Sequence, residues 1–349
     1  MKMMQEISLG KSKIGPQQPC FLIAEVGTTC LGDIDKAFEL IAAAKLAGMD
    51  AVKFQVIDPE QISDRSTTYP MVVDGVVSQV NMYEMFKRLA FSESQWQEIA
   101  NKCLSEGLQF FATVDYLEGV NLLDRLGVVV HKIGAWDATY FQLVQKIGRT
   151  GKPMFVDLGP TTEKEVEDLV RWYRDAGGSA VLFMHDFHTL DDMQMNLRTI
   201  SLLNERYEWP AGFSSPARDA DIDVAALALG ASYIEKRLVI KRDENALHAH
   251  ESLDPAELKE WVDRIRHVER ALGVPCIQPS SNDLEGKTKY YRSICTLKEV
   301  ASGEIFELSN LGAKRPGTGI PMVRLDEFLG KRATRDIPSD TLLSEADAQ

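Results

Sequence analysis

FLIAEVGTTCLGDIDKAFELIAAAKLAGMDAVKFQ, residues 21–55, decides the fold of this chain. Its first segment, FLIAEVG (21–27), is short, continuous and apolar, and its last, AVKFQ (51–55), repeats that texture. Such runs suit strands buried on both faces, as in a parallel sheet. Between them DIDKAFELIAAAKLAG reads as a helix, with Asp33 as N-cap and Gly48 as stop. The same alternation continues. QFFATV (109–114), VVVHKIG (128–134), PMFVDLG (153–159), VLFMHD (181–186), PAGFSS (210–215) and YIEKRLV (233–239) bring the strands to eight. SESQWQEIANKCLSEG and TTEKEVEDLVRWYRDAGG are helices of the same style, each opening on a cap residue with an early Glu and closing on Gly.

Eight strand–helix units predict an α/β fold of the (β/α)8 TIM-barrel type. A doubly wound sheet is the alternative, but no GxGxxG follows the first strand. Residues 56–92, which include YPMVVDGVVSQVNMYEMFKRLAF, form a long connection between the second and third strands. A βα loop of that size belongs to the catalytic face of a barrel, as a lid or a binding loop.

Past residue 275 the texture changes. CIQPSSNDLEGKTK is polar and carries Pro, Ser, Asn and Gly, so residues 276–288 read as a linker. Residues 289–349 alternate short strand-like runs with Gly and Pro and read as a small β-rich domain, near the limit for an independent core. The barrel is thereby assigned residues 1–275.

At 349 residues, 44% hydrophobic and 26% charged, the composition is that of a soluble globular protein with room for one large and one small domain. No apolar run approaches the roughly 20 residues of a membrane span. The start, MKMMQEISLGKSKIGPQQ, has no apolar h-region, so a cytoplasmic protein is expected. A net charge of −13 argues against general nucleic-acid binding, although a local cluster of Lys and Arg can still reverse the field inside one cleft. The five cysteines are scattered without a CxxC and read as reduced structural thiols. Lys53 and Lys132 each interrupt an apolar strand. A buried lysine needs an anionic partner, either a ligand or a barrel carboxylate such as Glu25 or Glu235.

KRPGTGIP (314–321) followed by LGKRATRDIPSDTLL (329–343) resembles the C-terminal antifreeze-like (SAF) domain of the sialic acid (N-acetylneuraminate) synthases. AEVG (24–27), AGMDAVKFQ (47–55), HKIG (131–134), the GFSS turn, ALGASYIEK (228–236) and ESLDP (251–255) resemble the barrel of that family, which includes spore-coat polysaccharide synthase-like relatives. The likeness runs in order along nearly the whole chain. It implies condensation of phosphoenolpyruvate with an N-acyl-mannosamine-like sugar aldehyde, giving a sialic-acid-like nonulosonic acid and phosphate. It also implies a divalent metal, Mn or Mg, that polarises the aldehyde as a Lewis acid. Carried over by position, Lys53 and Lys132 contact the phosphoenolpyruvate carboxylate or phosphate, and Glu25 helps to bind the sugar. Thr113, Gly159 and Ser214 fall near the phosphate. Arg315 reaches the partner subunit's site and contacts the sugar's N-acyl group, which implies a domain-swapped homodimer.

Several positions depart from the family's pattern. Its NHEG-type sequence is TTCLG (28–32) here. The serine after KIG is Ala135, and Asp137 stands in for a catalytically important glutamate. Asp157 occupies the place of a phosphate-facing serine, so it must turn away or pair with a lysine. Asp186 and His188 match a polar amide or hydroxyl residue and a tyrosine. The family's two metal-ligating histidines are replaced by Pro216 and Arg237, and its GPDH-type segment reads ALHAHESL.

Three readings stay open. A metal is held elsewhere, with His185 and His188, or His248 and His250, as candidates by HxxH and HxH spacing. Alternatively Arg237 replaces the metal as a fixed positive charge at the aldehyde. In the third, synthase activity is lost or altered, leaving a diverged relative that binds an anionic sugar or sugar phosphate. An aldolase working through a lysine Schiff base is a further class.

Overall fold

The computed structural model describes residues 4–73, 76–186, 191–242 and 246–349, and it divides into two compact units, Met1–Gly273 and Val274–Gln349. Among the described residues of the first unit, eight parallel strands close into a barrel. They are β1 (Phe21–Glu25), β2 (Ala51–Val56), β3 (Gln109–Val114), β4 (His131–Ile133), β5 (Met154–Asp157), β6 (Val181–Asp186), β7 (Gly212–Ser214) and β8 (Tyr233–Arg237). Each pairs with its neighbour in sequence, and β8 closes on β1 with Tyr233 opposite Phe21 and Arg237 opposite Glu25. All eight expected strands are therefore in the barrel. β4 is shorter than expected, because its ladder to β5 begins only at His131, opposite Met154.

The period of two along each strand sorts its side chains into two cores. Phe21, Ile23, Phe111, Phe155, Leu182 and Tyr233 fill the barrel interior. A short hairpin, Ile7–Leu9 with Ser12–Ile14, adds Leu9 and Ile14 to that cluster. Its Gly10 lies against Gln109 and Val129, where β3 and β4 begin, so the hairpin plugs the end opposite the strands' carboxyl ends. Leu22, Val52, Phe54 and Phe110 point outward into a larger cluster shared with the helices.

Those helices are α1 (Ile34–Ala47), α2 (Glu93–Ser105), α3 (Leu117–Arg125), α4 (Phe141–Gly148), α5 (Glu163–Asp175), α6 (Thr199–Arg206), α7 (Asp221–Ala228) and α8 (Pro255–Leu272). Their ends follow the cap chemistry of the sequence. Asp33 accepts from the backbone N–H of Asp35 and Lys36, and Gly48 ends α1 at φ 93°, a conformation in which a Cβ would be strained. Ser92 and Thr162 form capping boxes with Gln95 and Glu165. The long β2–α2 connection carries a hairpin, Thr68–Val73 with Val76–Asn81, and a short helix, Met82–Leu89.

The second unit has its own core of Ile294, Val300, Phe306, Leu311, Phe328, Ile337 and Leu343. It holds an antiparallel pair, Ser293–Thr296 with Leu311–Lys314, joined to the rest by isolated bridges. The stretch 276–288, read as a linker, instead contains most of a helix, Ser281–Tyr290, started by a Ser280–Asp283 capping box. That helix buries no residue, so its sequence shows no apolar stripe. No described helix is long and apolar enough to cross a membrane.

Candidate active site

Strand register brings the polar residues of the sequence analysis to one rim. Glu25 lies opposite Lys53, Gln55 opposite Thr113, and Thr113 opposite Lys132. Further round, Asp157 faces Met184, Asp186 faces Ser214, and Ser214 faces Glu235. A cavity of about 420 Å³ opens there. Glu25, Lys53, Thr113, Asp137, Asp157, Asp186, Ser214 and Arg237 all line it. The β2–α2 connection adds Tyr69, Met82, Met85 and Phe86 to the wall.

The two lysines meet on one carboxylate. Lys53 Nζ lies 3.0 Å from Glu235 Oε1 and 3.8 Å from Glu25 Oε1, and donates to Thr113 Oγ1 at 3.2 Å. Lys132, fully buried below the cavity, donates to Glu235 Oε2 at 3.1 Å. Its Nζ also lies 2.8 Å from Asp157 Oδ1, an ionic contact outside hydrogen-bond alignment. Within the chain, then, the partner of both buried lysines is Glu235. Burial alone would raise the Glu235 carboxyl, but Lys132 and Lys53 outweigh it and hold the group well below the usual carboxylate range. Burial likewise opposes the Lys53 charge, and Glu235 with Glu25 outweighs it.

The other acids go the opposite way. Burial, reinforced by Asp186 and Glu235 against the pull of Lys132, raises Asp157 to about 7. Asp157 thus pairs with a lysine, one of the two outcomes expected of an acid at that position. Asp186 is raised as well, chiefly by burial. Asp137, in a single 3-10 turn (Ala135–Asp137) after β4, is raised to about 7 by burial and by Asp115, with which it shares a side-chain hydrogen bond. Asp115 is also raised by burial, and it accepts from Gln55 Nε2 at 2.9 Å. With Asp157 and Asp137 half-protonated near neutrality, the rim can take in an anion by gaining protons, and can give and take a proton in place.

Arg237 ends β8. Its Nη1 lies 3.0 Å from Glu251 Oε2, and the same oxygen lies 3.1 Å from His248 Nδ1. Thr28 Oγ1 donates to the Leu247 carbonyl at 3.0 Å, and Thr29 Oγ1 to the Leu238 carbonyl at 2.7 Å. The unusual TTCLG segment therefore holds the connection that follows Arg237 at two points.

The other named positions fall elsewhere. Gly159 follows β5 and is not among the cavity's lining residues. His188 lies outside the described residues. Arg315, in the second unit, is exposed and donates from Nε to the Tyr290 carbonyl at 2.8 Å. Of the histidines proposed as ligands, His185 is buried with Nε2 2.8 Å from the Met195 carbonyl, and burial lowers its pKa. His248 lines the cavity, whereas the exposed His250 borders a different one beside Pro216. Among the described residues, no three His, Cys, Asp or Glu side chains gather closely enough to hold a metal. A prolyl ring has no donor atom, and a guanidinium is itself a cation, so a divalent metal does not fit the two positions where the resemblance puts its ligands.

Sequence reasoning missed Gln55, Asp115 and the Glu251–His248 clamp. The first two carried a signal: each stands two residues beyond a named residue, Lys53 or Thr113, and so on the same strand face.

The chain is similar to known proteins along both of its units. Residues 40–276 match the NeuB family and residues 291–349 the SAF domain. Over 332 residues the chain is 29% identical to the N,N'-diacetyllegionaminic acid synthase of Campylobacter jejuni, covering 93% of this chain and 98% of that protein. It is 28% identical over 337 residues to the human N-acetylneuraminate-9-phosphate synthase, covering 95% of this chain and 93% of that protein. The crystal structure of N-acetylneuraminic acid (sialic acid) synthetase from Leptospira borgpetersenii in complex with citrate superposes with a TM-score of 0.72 at 26% identity, over 81% of this chain and 95% of that one.

Proposed function

The chain belongs to the NeuB family, and from that premise we propose that it joins phosphoenolpyruvate to an N-acyl-mannosamine-like sugar aldehyde, releasing phosphate and forming a sialic-acid-like nonulosonic acid. One observation carries the reading: Lys53 and Lys132 converge from β2 and β4 beneath a cavity that also presents Thr113 and Ser214. Two ammonium groups and two hydroxyls suit a small, multiply charged acid. Asp157 and Asp186 would repel such a ligand when ionised; Asp157, raised to about 7, is cheaply protonated on binding near neutrality, and burial shifts Asp186 in the same direction. The names of the relatives support the class of reaction. Within this reading Arg315 serves the sugar's N-acyl group in a homodimer.

The test is phosphate release from phosphoenolpyruvate, with and without a panel of N-acyl hexosamines and their phosphates. Release that requires the sugar is the expected result. The acids beside the lysines also favour a second reading, a diverged relative that binds an anionic sugar without turnover. It predicts thermal stabilisation by such ligands with no phosphate released.

A further inference from the structure

We propose that this chain carries out the condensation without a bound divalent metal, and that the Arg237 guanidinium is the electrophile that polarises the sugar aldehyde. The inference rests on the condensing reading above. Its basis is a mismatch of chemistry at two positions of the barrel. Where the resemblance calls for two imidazoles, the chain has a side chain with no donor atom, Pro216, and a permanent cation, Arg237. The cation is in position to act. Arg237 sits in register with Glu25 and lines the cavity with Lys53 and Asp137.

It is also held. Glu251 anchors one of its five N–H groups, through Nη1, and His248 steadies the same carboxylate. The backbone closes the frame: Leu253 N–H donates to the Arg237 carbonyl at 3.0 Å, and Ser252 Oγ to the His248 carbonyl at 2.8 Å. A fixed cation in a partly buried site stabilises a developing oxyanion without reorganising. Lys53 and Lys132 are poorly placed for that task, since Glu235 already pins both.

The step balances with groups on the rim. The electron pair of the enol carbon–carbon double bond forms the new bond to the aldehyde carbon, and the carbonyl pair moves onto oxygen beside Arg237. That oxygen takes the proton shared by Asp115 and Asp137. Water adds to the oxocarbenium carbon and returns one proton to the acid pair. The carbon–oxygen bond to phosphate then breaks as the ketone forms, and the second water proton leaves with phosphate.

The full chain, dialysed against EDTA, should contain substoichiometric metal by elemental analysis. Its melting temperature should not respond to Mn²⁺ or Mg²⁺, and its phosphate release should be the same with EDTA as with Mn²⁺. R237A should lower kcat by about 100- to 1,000-fold, the usual effect of removing an oxyanion donor. It should keep the thermal shift given by phosphoenolpyruvate and recover part of the rate on addition of guanidinium ion. P216H/R237H should acquire a Mn²⁺-dependent rise in melting temperature. Wild-type turnover that EDTA abolishes, or stoichiometric Mn²⁺ that H188A loses, overturns the proposal and leaves the condensing reading standing. A wild type silent on every aldehyde, with metal or without, overturns both.

Discussion

Two carboxyl groups share a hydrogen bond only when one of them carries a proton, and Asp115 and Asp137 are such a pair at the mouth of the barrel. Burial raises both; the Asp115 charge raises Asp137 further, to about 7, whereas the shared hydrogen bond pulls Asp115 back down. The sign of the consequence follows from linkage. Between the ordinary aspartate value and about 7 the folded chain holds a proton that the unfolded chain has released, so this pair makes stability fall as pH rises through that window. D115N removes the opposing charge and lets Asp137 return toward ordinary values. In urea titrations D115N should therefore lose less stability than the wild type between pH 5 and pH 8, a window of about three units around the raised value. Turnover should fall about tenfold per pH unit above the upper apparent value of the wild-type pair. The same limb should move to lower pH in D115N, and a D115N profile parallel to the wild type would remove the pair from the chemistry. Asp137 was legible in the sequence through its neighbours after KIG. Asp115 was not, because an aspartate between a strand and a helix reads first as a turn or cap residue. The two-residue spacing from Thr113 put Asp115 on the same face, but only the ladder shows that Gln55 and Thr113 lie side by side.

At the scale of the element, the caps do the most to make the chain readable. Asp33 satisfies two of the orphan N–H groups that open α1, and α1 buries Leu40, Ile41 and Ala44 against the barrel. D33A should cost about 1 kcal/mol, within a range of roughly 0.5–2, measured as a shift of the urea midpoint at constant slope. No change would mean that packing alone sets the start of the helix. The same logic explains what could be read and what could not. α1, α2 and α5 combine a cap with an apolar stripe, and both signals agree on their extent. The helix Ser281–Tyr290 has the capping box without the stripe, and its flanking Pro279 and internal Gly286 outweigh a cap in any reading by composition. The 56–92 connection was legible as a catalytic-face insertion but not in form. Its hairpin pairs Val72 with Val77 and Thr68 with Asn81, and the Asp74–Gly75 pair between two β-branched runs is the sequence signal that would have found it. Its cavity-facing Tyr69 could not be told from any other aromatic residue, because that assignment needs the barrel rim beneath it.

For the whole molecule, the proposed contact of Arg315 with the sugar's N-acyl group in a homodimer is open to a direct test. The net charge of −13 makes a compact array of cations valuable, and the barrel strands supply Lys53 and Arg237 at the cavity with Lys132 buried beneath it. The proposed N-acyl contact adds one more cation from the second unit, where Arg315 is exposed. A guanidinium exposed on a small domain with its own core is suited to recognising a polar group outside that domain. On the full chain, R315A should raise KM for the sugar by about tenfold to a hundredfold, the worth of a charge-assisted hydrogen bond. The response to phosphoenolpyruvate should stay the same. Complementation then tells a swapped site from one served within its own subunit. K53M removes the ammonium beneath the cavity, so each single variant should be weak when expressed alone. In a mixed dimer of K53M with R315A, a swapped arrangement pairs the intact Lys53 of one subunit with the intact Arg315 of the other and rebuilds one site. Random assortment makes half the dimers mixed, so coexpression should restore at most about a quarter of wild-type activity at subsaturating sugar. If each subunit uses its own Arg315, each site in the mixed dimer carries one defect, as in the parents, so no activity is regained. Sedimentation of the coexpressed material, which must show a dimer, separates that result from a chain that works alone.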